Sequence, residues 1–318
     1  MDLGLNARAW TLADLLVADA GLLRIAVSRL PGGARVIDCG VNVEGGLEAG
    51  RRLAEVCLAG LGAVSLTGVD LGPAWLPAVQ VTTDQPVAAC LASQYAGWAI
   101  DPEGYFAMGS GPARALARGE RALFDTIGYA EVADAAVLVL EGRRLPDEAV
   151  AAHVAARCRV DPSRLTLLIA PTASPAGSVQ VAARSVETAL HKLVELGFDV
   201  GQVRSGLGVC PLAPVAKSDL AAIGRTNDCI LYGTRAYLTV RASDDDVAAV
   251  ADRVPASASS DYGTPFAEIF RRYDHQFYRI DRLLFSPAEV TINNLTTGRV
   301  TRTGRLDPAV LLPSLGLA

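Results

Sequence analysis

A short apolar run followed by a long amphipathic pattern constrains the fold of this chain most strongly. Residues 165–170 read LTLLIA, which is typical of a buried β-strand. After the turn PTASPAGS, apolar residues recur every three or four positions from Ser178 to Leu196, which predicts an amphipathic helix closed by Gly197. A second stripe lies about a third of a turn away on this helix. That stripe is polar and consists of Gln180, Arg184, Glu187, His191 and Glu195.

Strand-like and helix-like segments alternate through most of the chain, which indicates an α/β fold. Residues 22–30 and 34–40 flank a Pro-Gly-Gly turn and predict an opening hairpin. This hairpin and the strand-rich C-terminal third do not suit a purely parallel, doubly wound sheet. We therefore expect two domains with mixed sheets, one formed by residues 1–95 with 225–318 and the other by residues 96–224.

Three further segments bear on the organisation around the candidate site. Residues 86–98 are rich in small residues and predict a helix. Gly104 to Gly111, GYFAMGSG, is interpreted as a loop that opens a helix at Pro112, because proline is tolerated at the first helical position. The apolar run CILYGTRAYLTVR at 229–241 predicts a strand.

The composition argues against several classes of partner. A formal net charge of −5 and a pI near 5.3 disfavour nucleic acid or an anionic membrane as the main partner. The six cysteines lack CxxC spacing and are expected to be reduced thiols. Charges and prolines interrupt the apolar residues 56–100, so no membrane span is expected. The N-terminus has no recognisable export signal, and we expect a cytoplasmic protein.

Arg184 and Glu187 are the leading candidates for chemistry. Side chains three positions apart on a helix can touch, and a guanidinium favours the ionised form of a neighbouring carboxylate and orients it. An ionised, positioned carboxylate can act as a general base toward water. An ordinary surface ion pair, worth about 0.3–0.5 kcal/mol, has the same spacing, and spacing alone favours that interpretation.

His191 follows Glu187 by four residues and, with Glu195, suggests a metal site along one helical face. Zinc sites usually contain more histidine or cysteine than this, and the chain has only two other histidines, His153 and His275. We therefore expect no metal, and we interpret His191 as a partly buried residue that supports the site.

A glycine-rich turn, GSGPAR at 109–114, leads into the helix predicted at Pro112. Free backbone amides at Ser110 and Gly111, with Arg114 one turn later, can hold an anion. The turn is not a dinucleotide fingerprint, because Arg114 stands where a third glycine or alanine is needed. A tight loop that requires small residues explains the pattern equally well. Ser110, Gly111 and Arg114, with Gln180 and His191, are the candidate substrate-binding residues.

Four stretches of the chain resemble one known family. The segment IAPTASPAGSVQVAARSVETALHKLVELGFD closely resembles the signature region of methenyltetrahydromethanopterin cyclohydrolase. The other three are similar to the same family: GSGPARAL at 109–116, NDCILYGTRAYLTV at 227–240 and SPAEVTINNLTTGR at 286–299. The resemblance implies two α/β domains with the active pocket between them, assembled as a homotrimer.

The resemblance also implies an activity and the residues that perform it. The expected reaction is hydrolysis of 5,10-methenyltetrahydromethanopterin to the 5-formyl compound, without a metal or redox cofactor. The family's Arg and Glu, three residues apart, fall on Arg184 and Glu187, which implies Glu187 as general base and acid and Arg184 as the residue that orients it. One alternative is a non-catalytic pterin-binding carrier subunit. Another is a nicotinamide-dependent oxidoreductase, which the missing dinucleotide fingerprint disfavours.

Overall fold

A computed structural model describes residues 3–276 and 279–317 of the chain. The chain packs into two compact units: unit 1 comprises Met1–Ala63 and Ala88–Gln180, and unit 2 comprises Val64–Val87 and Val181–Ala318. The predicted domains, 1–95 with 225–318 and 96–224, group these segments differently. The reason is long-range strand pairing, which no local pattern in the sequence reveals. Among the described residues, no helix has both the length and the apolar character needed to cross a bilayer.

The first half of the chain supplies most elements of unit 1, with β3 and β4 belonging to unit 2. In chain order the elements are α1 Leu5–Ala18, α2 Ala20–Leu23, β1 Ala26–Arg29, β2 Arg35–Asp38, α3 Leu47–Cys57, β3 Ala63–Asp70, β4 Trp75–Thr83, β5 Trp98–Ile100, β6 Ala107–Ser110, α4 Ala113–Ala117, α5 Arg121–Ile127, β7 Ala136–Glu141, α6 Glu148–Cys158, β8 Leu165–Ala170 and α7 Pro175–Ala182.

The second half builds the rest of unit 2. Its elements are α8 Ser185–Glu195, β9 Val203–Pro211, α9 Asp219–Gly233, β10 Arg235–Val240, α10 Asp244–Ala251, α11 Phe266–Arg272, β11 Glu289–Asn294, β12 Val300–Gly304 and α12 Pro308–Leu315.

The sheet of unit 1 has the strand order β1-β2-β8-β7-β6-β5. Its three central strands, β2, β8 and β7, run parallel, and the strands beside them pair antiparallel. Every residue of β8 is buried, because α1 and α3 cover one face of the sheet and α4 and α6 cover the other. The predicted buried strand at 165–170 and the opening hairpin are both confirmed.

The sheet of unit 2 has the strand order β12-β11-β10-β9-β4-β3. Strands β10 and β11 are parallel, whereas β9 runs antiparallel to both β4 and β10. Helix α8 packs on one face of this sheet, over β9, β10 and β4. The other face exposes large apolar side chains, including Leu207 and Tyr237. With two mixed sheets and helices between the strands, the α/β class expected from the sequence is confirmed.

The predicted helix from Ser178 to Leu196 is wrong in its continuity. It is divided into α7 and α8, and α7 already begins at Pro175. The interruption falls at Ala183 and Arg184, where the Arg184 amide donates to the Val181 carbonyl in a tighter turn. Neither residue breaks helices by nature, so the sequence pattern does not show the interruption.

Three other local predictions differ from the structure. Part of the predicted loop at 104–111 is the short strand β6, which pairs with β5 and β7. The first five residues of the predicted strand at 229–241 complete helix α9, because a short apolar run suits a buried helix as well as a strand. Within the predicted helix at 86–98, Val87–Gln94 form a π-helix and Trp98 begins β5.

Candidate functional site

Arg184 and Glu187 lie at the beginning of α8. Arg184 is the residue before the helix and Glu187 is its third residue. The Nη1 atom of Arg184 is 3.6 Å from Oε2 of Glu187, and the two side chains are only 9% and 5% exposed. The exposed surface pair that spacing alone favoured is therefore wrong.

Burial makes the Arg184–Glu187 ion pair costly for the stability of the fold. Removing two charges from water costs several kcal/mol per ion, so a buried pair is a poor way to stabilise a fold. The first turn of a helix favours a negative charge, because its free amides and dipole attract anions. Glu187 therefore occupies a position that suits a carboxylate, with a guanidinium beside it. This arrangement has the components of a fixed general base.

His191 lies one turn after Glu187 in the same helix and is largely buried. Its Nε2 atom is 3.5 Å from Oε1 of Glu195, and the same carboxylate oxygen is 3.6 Å from Nη1 of Arg282. In the part of the chain that the structure describes, no group of three or more His, Cys, Asp or Glu side chains is arranged to hold a metal ion. His191 thus belongs to a row of polar side chains, with Glu195 and Arg282, at the end of α8.

Gln180 and Ser110, two of the predicted binding residues, meet inside unit 1. The Nε2 atom of Gln180 donates to Ser110 Oγ at 3.5 Å and lies 3.6 Å from Cys57 Sγ. The Cys57 thiol in turn donates to Ser110 Oγ at 3.3 Å. Ser93 Oγ donates to the Cys57 carbonyl at 2.7 Å. We call Gln180, Ser110, Cys57 and Ser93 the unit 1 polar cluster. All four side chains are buried.

Gly111 holds the glycine-rich turn close to the end of the π-helix. Its φ of 94° lies in the left-handed region that glycine adopts without strain. Its amide donates to the Ser93 carbonyl at 2.8 Å. The predicted role of this amide in holding an anion would require it to leave that partner.

Arg114 is fully buried and holds the end of the same π-helix. Its Nη1 donates to the carbonyls of Leu91 and Ser93 at 3.0 Å each, and its Nε donates to Glu120 Oε1 at 2.8 Å. Its guanidinium carbon lies 5.0 Å from the centre of the Tyr95 ring. The tight-loop interpretation of GSGPAR describes these contacts, although Nη2 of Arg114 is buried without a hydrogen-bond partner among the described residues.

The sequence reasoning missed Lys192 and Asp228, two buried charged residues of unit 2. Burial lowers the pKa of the Lys192 ammonium to about 8, and its Nζ donates to the Leu283 carbonyl. Burial raises the pKa of the Asp228 carboxyl to about 6, although it accepts a hydrogen bond from the Phe266 amide at 2.7 Å. A signal existed for Lys192, since it follows the apolar Ala189 by three positions.

Comparisons with known proteins agree with the resemblance noted in the sequence. The model of the cyclohydrolase (MCH) family matches residues 4–315. The chain is 42% identical over 316 residues to methenyltetrahydromethanopterin cyclohydrolase of Methanococcoides burtonii, covering 99% of both chains. It is 46% identical over 298 residues to the enzyme of that name from Methanosarcina barkeri, covering 93% of this chain and 92% of the relative.

A bacterial relative with the same name matches the chain to a similar extent. The chain is 46% identical over 310 residues to methenyltetrahydromethanopterin cyclohydrolase of a Methylobacterium species, covering 96% of this chain and 95% of the relative. The matched regions contain both the buried Arg184–Glu187 pair and the glycine-rich turn. This chain therefore belongs to the cyclohydrolase (MCH) family.

Proposed function

We propose that this protein hydrolyses 5,10-methenyltetrahydromethanopterin to 5-formyltetrahydromethanopterin. The observation that carries the proposal is the buried Arg184–Glu187 pair at the beginning of α8. Relatives that match nearly the whole chain and carry the name of this activity support the choice of substrate. The reaction needs no redox cofactor, and we propose that it proceeds without a metal.

The chemistry follows from the charge of the substrate. Its methenyl carbon lies between two ring nitrogens in an amidinium-like cation and is already electrophilic. A water oxygen forms a bond to that carbon as Glu187 removes a proton from the water. The bond from the carbon to one ring nitrogen then breaks, that nitrogen receives the proton from Glu187, and the hydroxyl on the carbon loses its remaining proton to water as it becomes the formyl oxygen. The product is the neutral 5-formyl compound, with one proton released overall.

Glu187 has a second, electrostatic role in this proposal. A carboxylate close to the cationic ring stabilises its positive charge while the water approaches the methenyl carbon. General acid–base assistance of this kind typically contributes about 10²–10⁴-fold to the rate. Arg184 orients the carboxylate, and its position before the first residue of α8 limits the movement of both side chains.

The remaining candidate binding residues divide into two groups. Gln180, Ser110 and His191 offer polar atoms, and we propose that they contribute to substrate binding. Gly111 and Arg114 were also expected to bind substrate. Their internal partners favour an indirect role, in which they hold the glycine-rich turn against the π-helix.

Mixing the purified protein with methenyltetrahydromethanopterin tests the proposal directly. Hydrolysis removes the amidinium chromophore, so the ultraviolet absorbance of the substrate should fall catalytically. A carrier subunit would bind the substrate tightly and leave its absorbance unchanged. An oxidoreductase would require NAD(P) and would change the nicotinamide absorbance. Either of the last two results would contradict the proposal.

We also propose that the protein forms a homotrimer and that it is located in the cytoplasm. The apolar outer face of the unit 2 sheet supports assembly, because large exposed apolar patches usually mark protein contacts. A cavity of about 530 Å³ lies on this face and is lined in part by Leu207, Val209 and Tyr237. All six cysteines are buried and none forms a disulfide bond, which suits a reducing compartment. Sedimentation equilibrium tests the trimer, and a monomeric mass would contradict it.

A further inference from the structure

Two glycines lie within the strand that supports the beginning of α8. Strand β9 lies inside the unit 2 sheet, between β4 and β10. Gly206 and Gly208 are buried on its helix-facing side, whereas Leu207 between them is exposed on the other side. Glycine in a strand interior weakens the sheet and often marks a place where another segment approaches closely. The segment that approaches here is the first turn of α8.

The space at each glycine is already occupied by α8. A Cβ atom built on Gly206 would lie 2.5 Å from Cγ1 of Val186. A Cβ atom built on Gly208 would overlap Oγ of Ser185 and lie 2.7 Å from its Cβ and 3.1 Å from its carbonyl carbon. Carbon atoms pack at about 3.5–4.0 Å, so a methyl group at Gly206 requires the Val186 side chain or α8 to move, and one at Gly208 requires α8 itself to move.

The residues in contact with the glycines lie between the two proposed functional side chains. Ser185 and Val186 follow Arg184 directly and precede Glu187, and both are fully buried. The Oγ of Ser185 has no hydrogen-bond partner among the described residues, so close packing and not polar bonding holds this residue against β9. The distance between this turn and the sheet therefore sets the position of Glu187.

We propose that Gly206 and Gly208 are positioning residues for the hydrolytic reaction. Because they lack side chains, they allow the first turn of α8 to lie directly on β9. This contact fixes Glu187 at the distance from the sheet that water activation requires. The assignment of this role rests on the proposed function. A misplacement of about 1 Å in a catalytic group can lower the rate about 10²-fold. A single methyl group added at either glycine is therefore expected to slow the reaction.

The two glycines differ in a way that allows a rescue experiment. The obstacle at Gly206 is a side chain, and Val186→Ala removes the methyl group that Gly206→Ala would meet. The obstacle at Gly208 includes the backbone of Ser185, which no substitution removes. Rescue is therefore expected at Gly206 and not at Gly208.

The experiment compares kcat and KM for methenyltetrahydromethanopterin hydrolysis in four proteins: wild type, Gly206→Ala, Gly206→Ala with Val186→Ala, and Gly224→Ala. The last is the matched control, because a Cβ at Gly224 would lie 2.9 Å from Cβ of Ala267, in the contact between α9 and α11. We expect kcat of Gly206→Ala to fall at least tenfold with KM within threefold of wild type. The added Val186→Ala should restore kcat to within threefold, and the control should keep wild-type kcat.

Wild-type turnover by Gly206→Ala would overturn the proposal, as would a double variant that melts like wild type and remains slow. A wild-type protein without hydrolytic activity would instead contradict the proposed function. Crystal structures of the variants separate the two failures, because they need no activity. Glu187 is expected to be displaced relative to β9 in Gly206→Ala and returned in the double variant. An undisplaced Glu187 would overturn the positioning role whatever reaction the protein catalyses.

Discussion

The Arg184–Glu187 pair in unit 2 and Arg114 in unit 1 are both buried charges, but their surroundings differ. Arg114 donates hydrogen bonds to backbone carbonyls of the π-helix and to Glu120, so its guanidinium is used inside the fold. Arg184 and Glu187 lie 3.6 Å apart at the beginning of α8, where the first turn of a helix favours a carboxylate, and we propose that this carboxylate acts on the substrate. The difference shows that burial alone does not identify a functional charge. We infer that the groups in contact with a buried charge indicate whether it supports the fold or takes part in a reaction.

The largest expected effect is on the rate of hydrolysis when Glu187 loses its charge. Glu187→Gln keeps the shape of the side chain and removes the base, so kcat should fall by about 10²–10⁴-fold. Stopped-flow absorbance of the methenyl substrate measures the rate. Glu195→Gln, on the same helix, is the matched control and should keep kcat within about threefold. A Glu187→Gln protein that retains nearly full activity would contradict the assignment.

Replacing Arg114 should affect stability and not chemistry. Arg114→Met leaves the π-helix carbonyls and Glu120 without their donor, and breaking a buried charged contact of this kind costs about 3–5 kcal/mol. Urea unfolding followed by circular dichroism measures the loss, while kcat of the folded protein should stay near wild type. The control is Arg118→Met, because Arg118 is 42% exposed and its pair with Asp125 is at the surface. An unchanged free energy of unfolding for Arg114→Met would show that the comparison is wrong.

A conservative change at Arg184 should give an intermediate effect. Lysine retains the charge of Arg184 but lacks the planar fork that fixes a carboxylate. We expect Arg184→Lys to lower kcat about tenfold, equivalent to ~1.4 kcal/mol in the activation free energy. Steady-state kinetics should show this loss mainly in kcat. A change confined to KM would mean that Arg184 binds substrate and does not orient Glu187.

The smallest effect concerns Asp228, a buried carboxyl outside the candidate site. Burial raises its pKa to about 6 in the folded protein, above the value of an unfolded aspartate. Its contribution to stability is therefore full below about pH 4 and is lost as the pH rises through about 6. Asp228→Asn removes this dependence, so it should gain about 1–3 kcal/mol over wild type between pH 4 and 7.5.

Urea unfolding at several pH values measures the Asp228 effect. Asp245→Asn, at an exposed position, is the control and should show a difference from wild type that does not vary with pH in this way. A pH-independent difference for Asp228→Asn would contradict the raised pKa. Retained kcat in this variant would support the distinction between buried charges that act on substrate and those that do not.

The sequence predicts the parts of this molecule that depend on local pattern. The strand at 165–170, the turn after it and the amphipathic character of 185–195 follow from apolar spacing, and these place Arg184 and Glu187 on one helical face. The interruption at Ala183 and Arg184 does not follow, because both residues suit a helix. Spacing also cannot show that the pair is buried, which is the property that separates it from a surface ion pair.

The structural role of Arg114 was equally hidden in the sequence. Its partners are backbone carbonyls of a π-helix more than twenty residues earlier in the chain. A π-helix has no reliable sequence signature, and the small residues of 86–98 suit an α-helix as well. The close approach of β9 and α8 had a visible but ambiguous sign, since glycines within a strand can mark either a bulge or a close packing contact.

The central claim is that the buried Glu187 carboxylate performs chemistry, whereas the buried Arg114 guanidinium maintains the fold. The most direct test measures kcat and the free energy of unfolding together for Glu187→Gln and Arg114→Met. The account predicts different outcomes: Glu187→Gln loses about 10²-fold or more in kcat, whereas Arg114→Met loses about 3–5 kcal/mol and keeps its kcat. Equal losses of both quantities in both variants would contradict it.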